Sequence, residues 1–169
     1  MAVSAELVSV EQYSHTSFEH DVEFVEGRIA ERPEPTWRHS AVQGFLIREL
    51  WTLCRRPGLF AMPEQRVQTR PDRFRVPDVC VVGERPTDLA RGIVTLPPYL
   101  CVEILSPEDS MAEALEKALE YLNFGVEWVW VIDPESLSGQ VYCRTGAMDV
   151  GNGIFSTERF SLDLSGVEF

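Results

Sequence analysis

Two acidic residues lie within stretches of the chain that are otherwise apolar. Asp78 stands in VPDVCVV at positions 76–82, and Glu103 stands in YLCVEIL at positions 99–105. Almost continuous apolar runs of this length are typical of strands that are buried on both faces. An ionised carboxylate buried without a partner would cost too much free energy to persist. If the two strands are neighbours, their carboxylates can share one cation, and the pattern therefore predicts a metal site.

The chemistry of this pair favours a hard metal ion. Two carboxylates completed by water give an all-oxygen ligand set, which suits Mg²⁺ or Mn²⁺ better than zinc. The four cysteines show no CxxC spacing and no histidine cluster, which indicates reduced, mostly buried thiols. The alternative is that each acid pairs with an arginine or caps a turn. We would prefer that alternative for one strand acid alone, but two together favour a site.

Lys117 is the only lysine in the chain, since the other fourteen basic residues are arginines. Arginine is permanently charged, whereas a lysine ammonium is compact and its pKa can be lowered to help activate water. A catalytic role would explain why lysine stands here. On a helical wheel Lys117 lies beside Ala114 and Tyr121, at the margin of an apolar arc. The alternative is a surface pair with Glu113, four residues earlier.

His39 and Glu23 are weaker candidates for the same site. His39 could be a polar residue in the first turn of a helix, and Glu23 could lie on the outward face of a hairpin strand. For both residues these alternatives are preferred. Trp128 and Trp130 alternate along a predicted strand, which indicates packing rather than a surface for stacking bases.

Local patterns predict the elements that position these residues. Ser9 and Gln12 have the spacing of a capping box, which predicts a short helix near the start. The segment VEFVEGRIAER at positions 22–32 predicts a β-hairpin whose turn is formed by Glu26 and Gly27.

A helix and three strands are predicted next. Thr36 is a good N-cap for an amphipathic helix that ends near positions 57–58, and its apolar residues have helical spacing: Val42, Phe45, Leu46, Leu50 and Leu53. Strands are predicted at about 60–69, 76–82 and 99–105.

A second helix follows, and Gly125 supplies its left-handed C-terminal cap. Its apolar arc is predicted to comprise Met111, Leu115, Ala118, Leu119 and Leu122. The order strand 99–105, helix, strand 127–133 predicts a right-handed parallel crossover. QVYCR and two weaker C-terminal segments are expected to add antiparallel strands.

Composition limits the class of protein. A chain of 169 residues, 44% of them hydrophobic, fits one domain over 1–169, with its core at about 22–145. The net charge of −12 argues against non-specific, charge-driven binding of nucleic acid. However, positions 48–75 hold seven arginines against three acidic residues, and phosphate contacts are predicted there from Arg66, Arg70, Arg73 and Arg75.

An acidic N-terminus without a long apolar run predicts a cytoplasmic protein with no membrane partner.

In combination these motifs resemble a known family. The order helix, three strands, helix, strand, with Asp78 and Glu103 on successive strands, is similar to the PD-(D/E)XK nuclease fold. More closely, VEFVEG, RHS, VPDVCVV, VEILSP, EK and YLNFGVEWVWVIDP resemble the Uma-two family of restriction-endonuclease-like proteins over about 8–145. The resemblance implies an α/β fold: a central mixed β-sheet with an αβββαβ core flanked by helices, an N-terminal β-hairpin and C-terminal antiparallel strands.

The resemblance also implies an activity. The protein would be an endonuclease that hydrolyses phosphodiester bonds of DNA with Mg²⁺ or Mn²⁺, and it could act as a homodimer. Asp78 and Glu103 would hold the metal together with the backbone carbonyl of Ile104. The parent fold has its lysine two positions after the second acid, where Leu105 stands here. The Uma-type pattern places it on the following helix, at Lys117.

Two positions depart from the family pattern. The hairpin turn usually reads Asp-Gly-Glu, whereas Arg28 follows Glu26 and Gly27 here, and an aspartate usually stands where this chain has Glu113. Two other functions fit the same residues. The first is a catalytically silent nuclease-fold module that binds nucleic acid or protein, and the second is a small-molecule hydrolase that uses the same carboxylates and a deep apolar pocket.

Overall fold

A computed structural model describes residues 7–55, 58–86 and 89–169. Their helices and strands follow one another as α1 (Val10–His15), β1 (Val22–Val25), β2 (Arg28–Glu31), α2 (Trp37–Cys54), β3 (Phe60–Pro63), β4 (Val67–Arg70), β5 (Arg73–Arg75), β6 (Val79–Val82), β7 (Leu100–Ile104), α3 (Met111–Phe124), β8 (Trp128–Asp133), β9 (Ser138–Cys143), β10 (Gly146–Val150), β11 (Ile154–Ser156) and β12 (Ser161–Asp163). A single 3₁₀ turn, Leu164–Gly166, follows β12.

The central sheet has six strands in the order β10-β9-β8-β7-β6-β3. Strands β7 and β8 are parallel, with α3 as the connection between them, and the neighbouring pairs are antiparallel. The expected mixed sheet, its parallel crossover and the C-terminal antiparallel strands are therefore confirmed. Alternate residues of β6 and β7 enter two hydrophobic clusters, one against α2 and the other against α3.

A second sheet has the order β2-β1-β5-β4 and contains the predicted hairpin. The turn residues Glu26 and Gly27 have φ values of 51° and 85°, as a two-residue type I′ turn requires. The predicted strand at 60–69 is wrong. The chain turns at Glu64, where φ is 50°, and β3 and β4 belong to different sheets.

Helix α2 starts as predicted, because the Thr36 side chain accepts a hydrogen bond from the His39 N–H. The apolar stripe is largely confirmed by the buried Val42, Leu46 and Leu50. Leu53 is 38% exposed, and Cys54 takes the last buried position instead. The predicted end at 57–58 falls partly outside the described residues.

Helix α3 has both predicted ends but a different buried face. Ser110 and Glu113 form a capping box at the start, and Gly125 caps the end with φ of 116°. Met111, Leu115 and Leu119 are exposed, whereas the buried residues are Ala114, Ala118 and Tyr121. The predicted apolar arc is therefore shifted, and the face with short alanine side chains packs against the sheet.

The cysteines are all free, and Cys54, Cys80 and Cys101 are buried, as the sequence predicts. Trp130 is fully buried against Phe155 and Phe160, which confirms its packing role. Within the described ranges, none of the helices combines the length and apolar character needed to cross a bilayer.

Candidate active site

Asp78 and Glu103 lie opposite each other where β6 and β7 meet. Strand β6 begins at Val79, one residue later than Asp78, and Val79 pairs with Val102 in antiparallel register. Continuing that register by one residue places Asp78 across from Glu103. Both carboxylates are buried, with residue exposures of 2% and 6%. The expectation that two neighbouring strands bring these acids together agrees with the geometry.

The carboxylate of Asp78 has three donors. Its Oδ2 accepts a hydrogen bond of 2.6 Å from the Ile104 N–H, and its Oδ1 lies 3.3 Å from His39 Nε2. Arg32 donates from Nη2 to the same Oδ1. Burial raises the pKa of Asp78, but His39, Arg32 and the Ile104 N–H outweigh it, and the net shift is downward. Asp78 therefore stays ionised, and the arginine pairing that was the alternative to a metal site is present here.

Glu103 has different partners. Its Oε2 lies 3.2 Å from Lys117 Nζ, and its Oε1 accepts a 2.7 Å hydrogen bond from the Tyr121 hydroxyl. Burial raises the pKa of Glu103, and the negative charges of Asp78 and Glu23 add to the rise, which Lys117 offsets only in part. Two facing acids thus have pKa values shifted in opposite directions, which is typical of functional sites.

Lys117 lies between two buried carboxylates. Its Nζ is 3.3 Å from Glu23 Oε1 as well as 3.2 Å from Glu103 Oε2. The alternative pairing with Glu113 is wrong, because that side chain caps Ser110. Burial lowers the pKa of Lys117, but Glu103 and Glu23 raise it by more, so the net shift is upward. The expectation of a lowered lysine pKa is therefore wrong, and Lys117 is a fixed positive charge.

Glu23 is fully buried on β1, so its proposed place on an outward hairpin face is wrong. Arg75 Nη1 contacts its Oε2 at 2.8 Å, and the Val76 N–H donates to its Oε1 at 3.4 Å. Burial raises the pKa of Glu23, but the charges of Lys117 and Arg75 outweigh this, and the result is a lowered pKa. Glu23 and His39 thus both lie with the three stronger candidates.

A cavity of about 40 Å³, here called the central cavity, lies between these groups. It is lined by Asp78, Glu103, Ile104, Lys117, Arg32 and His39, together with Pro33, Pro35, Glu64, Ser106 and Asp109. This volume has room for a small ion or a few waters, since a cavity needs only about 10–15 Å³ of such space to hold one water. The His39 Nδ1 is buried and has no hydrogen-bond partner among the described residues.

The donor chemistry around the central cavity fits a hard cation. The carboxylates that face the cavity supply oxygen ligands. If two of them bind one ion, water molecules can fill its remaining coordination positions, as Mg²⁺ prefers. In the part of the chain that the structure describes, no three His, Cys, Asp or Glu side chains form a metal-binding cluster. Asp78 and Glu103 offer oxygen donors alone, which suit Mg²⁺ or Mn²⁺ better than zinc.

The four arginines expected to contact phosphate are arranged unevenly. Arg75 is 4% exposed and is held by Glu23 and Glu120, and Arg73 pairs with Glu120 and Glu26. Both guanidinium groups are engaged in these ion pairs, which limits the phosphate contacts that the two arginines can make. Arg70 is half-exposed beside Glu26, and Arg66 donates to the Arg91 carbonyl.

Sequence reasoning assigned no role to three residues of this region. Arg32 follows a strand in a loop with two prolines, and Glu120 looks like one of several surface acids. Tyr121 was placed beside Lys117 by helical spacing, but nothing in its sequence context indicated a contact with Glu103.

The mixed sheet, the paired acids at its strand junction and the lysine from the crossover helix together define a nuclease fold of the restriction-endonuclease class. The family profile described as "Uma2: Putative restriction endonuclease" matches residues 10–159. The chain belongs to this family.

Solved structures agree with the fold. A crystal structure from Anabaena variabilis, described as "a putative nuclease belonging to DUF820", superposes with a TM-score of 0.74. It is 24% identical in sequence, and the match covers 89% of each chain. Among curated proteins, no sequence matches this chain.

Proposed function

We propose that the protein is a Mg²⁺-dependent or Mn²⁺-dependent endonuclease that hydrolyses phosphodiester bonds in DNA. One observation carries the proposal: the side chains of Asp78, Glu103 and Lys117 border the same small polar cavity. Membership of a family of restriction endonucleases supports hydrolysis of nucleic acid as the general reaction. DNA as substrate and the identity of the metal are parts of the proposal.

Asp78 and Glu103 would hold the metal ion, with the Ile104 carbonyl as a third ligand. The bound ion would polarise the scissile phosphate and lower the pKa of a bound water. Asp78 is suited to this role because its pKa is lowered, so it is ionised at neutral pH. The Tyr121 hydroxyl fixes the rotamer of Glu103 by its 2.7 Å hydrogen bond.

Lys117 would contribute a positive charge next to the reacting phosphate. Glu103 and Glu23 raise its pKa, which favours the protonated ammonium in the chain without a metal. Its N–H groups can orient the attacking water and stabilise the negative charge that develops on the phosphate. Glu23 and Glu103 hold Nζ on two sides, and Glu23 is therefore a positioning residue for the lysine.

The phosphate backbone would approach along a groove of about 490 Å³ between the hairpin and α3. Lys117 lines both this groove and the central cavity. Arg28 lines the groove as well, on the turn where the family usually has glutamate. Its positive charge suits a phosphate contact. Arg66 and Arg70 remain candidates for weaker contacts outside the groove.

The test is a cleavage assay with supercoiled, linear single-stranded and branched DNA in Mg²⁺ or Mn²⁺. We expect nicking by the wild-type protein that EDTA abolishes. Asp78→Asn and Lys117→Met should each remove it, whereas the exposed Arg48→Met should not. Nicking that persists in both site variants would come from a contaminant and would refute the proposal.

One observation favours a second function, a catalytically silent module that binds nucleic acid or protein. Arg32 already neutralises Asp78, so the site is stable without a metal. Such a module would show no Mn²⁺ binding that depends on Asp78. A small-molecule hydrolase is disfavoured, because the central cavity is lined mostly by charged and polar side chains, whereas such an enzyme needs a deep apolar pocket.

A further inference from the structure

The carboxylates that a metal would need are already paired with cationic side chains. The acidic side chains that line the central cavity are Glu64, Asp78, Glu103 and Asp109, and its two resident cations are Arg32 and Lys117. Arg32 pairs with Asp78, and Lys117 pairs with Glu103. A divalent ion held by both carboxylates would repel these cations at close range, so metal binding requires that at least one of the two ion pairs is rearranged.

Arg32 is the resident cation that can leave most easily. Arg75 is 4% exposed and is held by Glu23 and by Glu120, while Lys117 bridges two carboxylates. Arg32 instead follows β2, which is an edge strand of its sheet. It lines the central cavity and also an open groove of about 670 Å³ on the other side.

The contact that Arg32 makes is the one a metal would need. The Oδ2 of Asp78 is held by the Ile104 N–H, and Arg32 donates to Oδ1, which also lies 3.3 Å from His39 Nε2. Of the two groups at Oδ1, Arg32 is the permanent cation, so its guanidinium is the group that a metal ion would displace. The open groove could accept the displaced guanidinium, because Glu31, Glu34 and Glu64 line it. Glu64 already lies 3.8 Å from Arg32 Nη1.

We infer that Arg32 is an internal counter-ion that competes with the divalent metal for Asp78 and thereby sets the metal affinity of the protein. The inference rests on the metal site of the proposed function. It assigns Arg32 a role that neither its sequence context nor the family motifs indicate. In the metal-free protein the guanidinium holds Asp78 in place, and in the metal-bound protein it lies in the acidic groove.

Direct Mn²⁺ binding to the full chain tests this inference without any substrate. Isothermal titration calorimetry, or the loss of the electron paramagnetic resonance signal of free Mn²⁺, gives the dissociation constant. We expect Arg32→Met and Arg32→Gln to bind Mn²⁺ about 10- to 100-fold more tightly than wild type, the equivalent of one charge-assisted hydrogen bond. Arg32→Gln keeps a hydrogen-bond donor, so it serves if Arg32→Met does not fold.

Two controls show whether the charge of Arg32 is responsible. Arg32→Lys keeps a positive charge and should bind Mn²⁺ nearly as weakly as wild type. Arg48→Met makes the same chemical change at an exposed ion pair with Glu49 and should have no effect. Adding Asp78→Asn to Arg32→Gln should abolish the gain, because the metal then loses its ligand.

The outcomes separate this inference from the proposed function. If wild type and both neutral Arg32 variants bind Mn²⁺ equally through Asp78, Arg32 does not compete and the inference fails, while the metal site stands. If the gain survives Asp78→Asn, the metal binds elsewhere and the inference also fails. If none of the proteins binds Mn²⁺, there is no metal site, and the inference and the proposed function fail together.

Discussion

Two buried charge clusters share helix α3 and differ in how their acids are arranged. In the first, Glu103 faces Asp78 across β6 and β7, and its pKa is raised by burial and by neighbouring negative charges. In the second, Glu120 contacts Arg73, Arg75 and Thr69, and its pKa is lowered, because these partners outweigh burial. In the first cluster two carboxylates thus stand at facing positions of adjacent strands, whereas in the second a single carboxylate is shared by two arginines. We therefore expect a functional role for the first cluster and a structural role for the second.

The largest expected effect is the loss of DNA cleavage when an acid of the first cluster is replaced. Asp78→Asn should reduce DNA cleavage by on the order of 10³-fold, because it removes a ligand of the metal ion that would polarise the scissile phosphate. Circular dichroism and thermal unfolding should show a folded protein. Cleavage at the wild-type rate would remove the distinction drawn here.

Replacing an acid of the second cluster should reduce the stability of the protein more than replacing one of the first. Glu120→Gln leaves Arg73 and Arg75 without their shared carboxylate, and we expect a loss of about 3 kcal/mol in the free energy of unfolding, measured with urea. Because the folded pKa of Glu120 is lowered, its stabilisation is complete well above the usual value of 4.5 and declines as pH falls through the folded pKa. The penalty should therefore be largest at pH 7 and should shrink in acid. A penalty that is constant with pH would indicate lost packing instead.

The packing between the clusters can be tested on the same helix. Ala118 is fully buried against the sheet, so Ala118→Leu should overfill the core and destabilise the protein by about 2 kcal/mol. Leu115 is 41% exposed, and Leu115→Gln should change stability by less than about 0.5 kcal/mol. Urea unfolding of both variants measures which face of α3 is buried. If Leu115→Gln costs more stability than Ala118→Leu, the leucine-rich face is the buried one, as the sequence predicts.

The smallest expected effect concerns the shape of the cationic group at position 117. Lys117→Arg keeps a cation between Glu23 and Glu103, but the planar guanidinium cannot occupy the position of Nζ. We expect unfolding to change little and cleavage to fall by about tenfold, equivalent to about 1.4 kcal/mol. Unchanged cleavage would mean that any cation is sufficient there.

The sequence predicts the fold well because each core element has a local signal. Thr36 and Gly125 fix helix ends, Glu26 and Gly27 fix the hairpin turn, and apolar runs fix the central strands. The strand predicted at 60–69 was wrong because the apolar residues on the two sides of position 64 were assigned to one strand. Pro63 directly precedes the turn at Glu64, where φ is 50°, and it was the local signal for a break.

The candidate site was only partly predictable. Asp78, Glu103 and Lys117 stand out because each is unusual in its own segment of sequence. Arg32 and Tyr121 do not, because their roles come from contacts across 46 and 18 residues of chain. The pKa of Lys117 could not be predicted either, since its direction depends on Glu23, a partner from another sheet.

The residues that line the central cavity come from segments that are far apart along the chain. Arg32 comes from the hairpin, Asp78 and Glu103 from the sheet, and Lys117 from the crossover helix. Contacts of such long sequence separation slow folding, because closing their loops costs entropy before the contacts are gained. A chain truncated before α3 would contain both acids but not Lys117, so it would lack the complete set of candidate site residues.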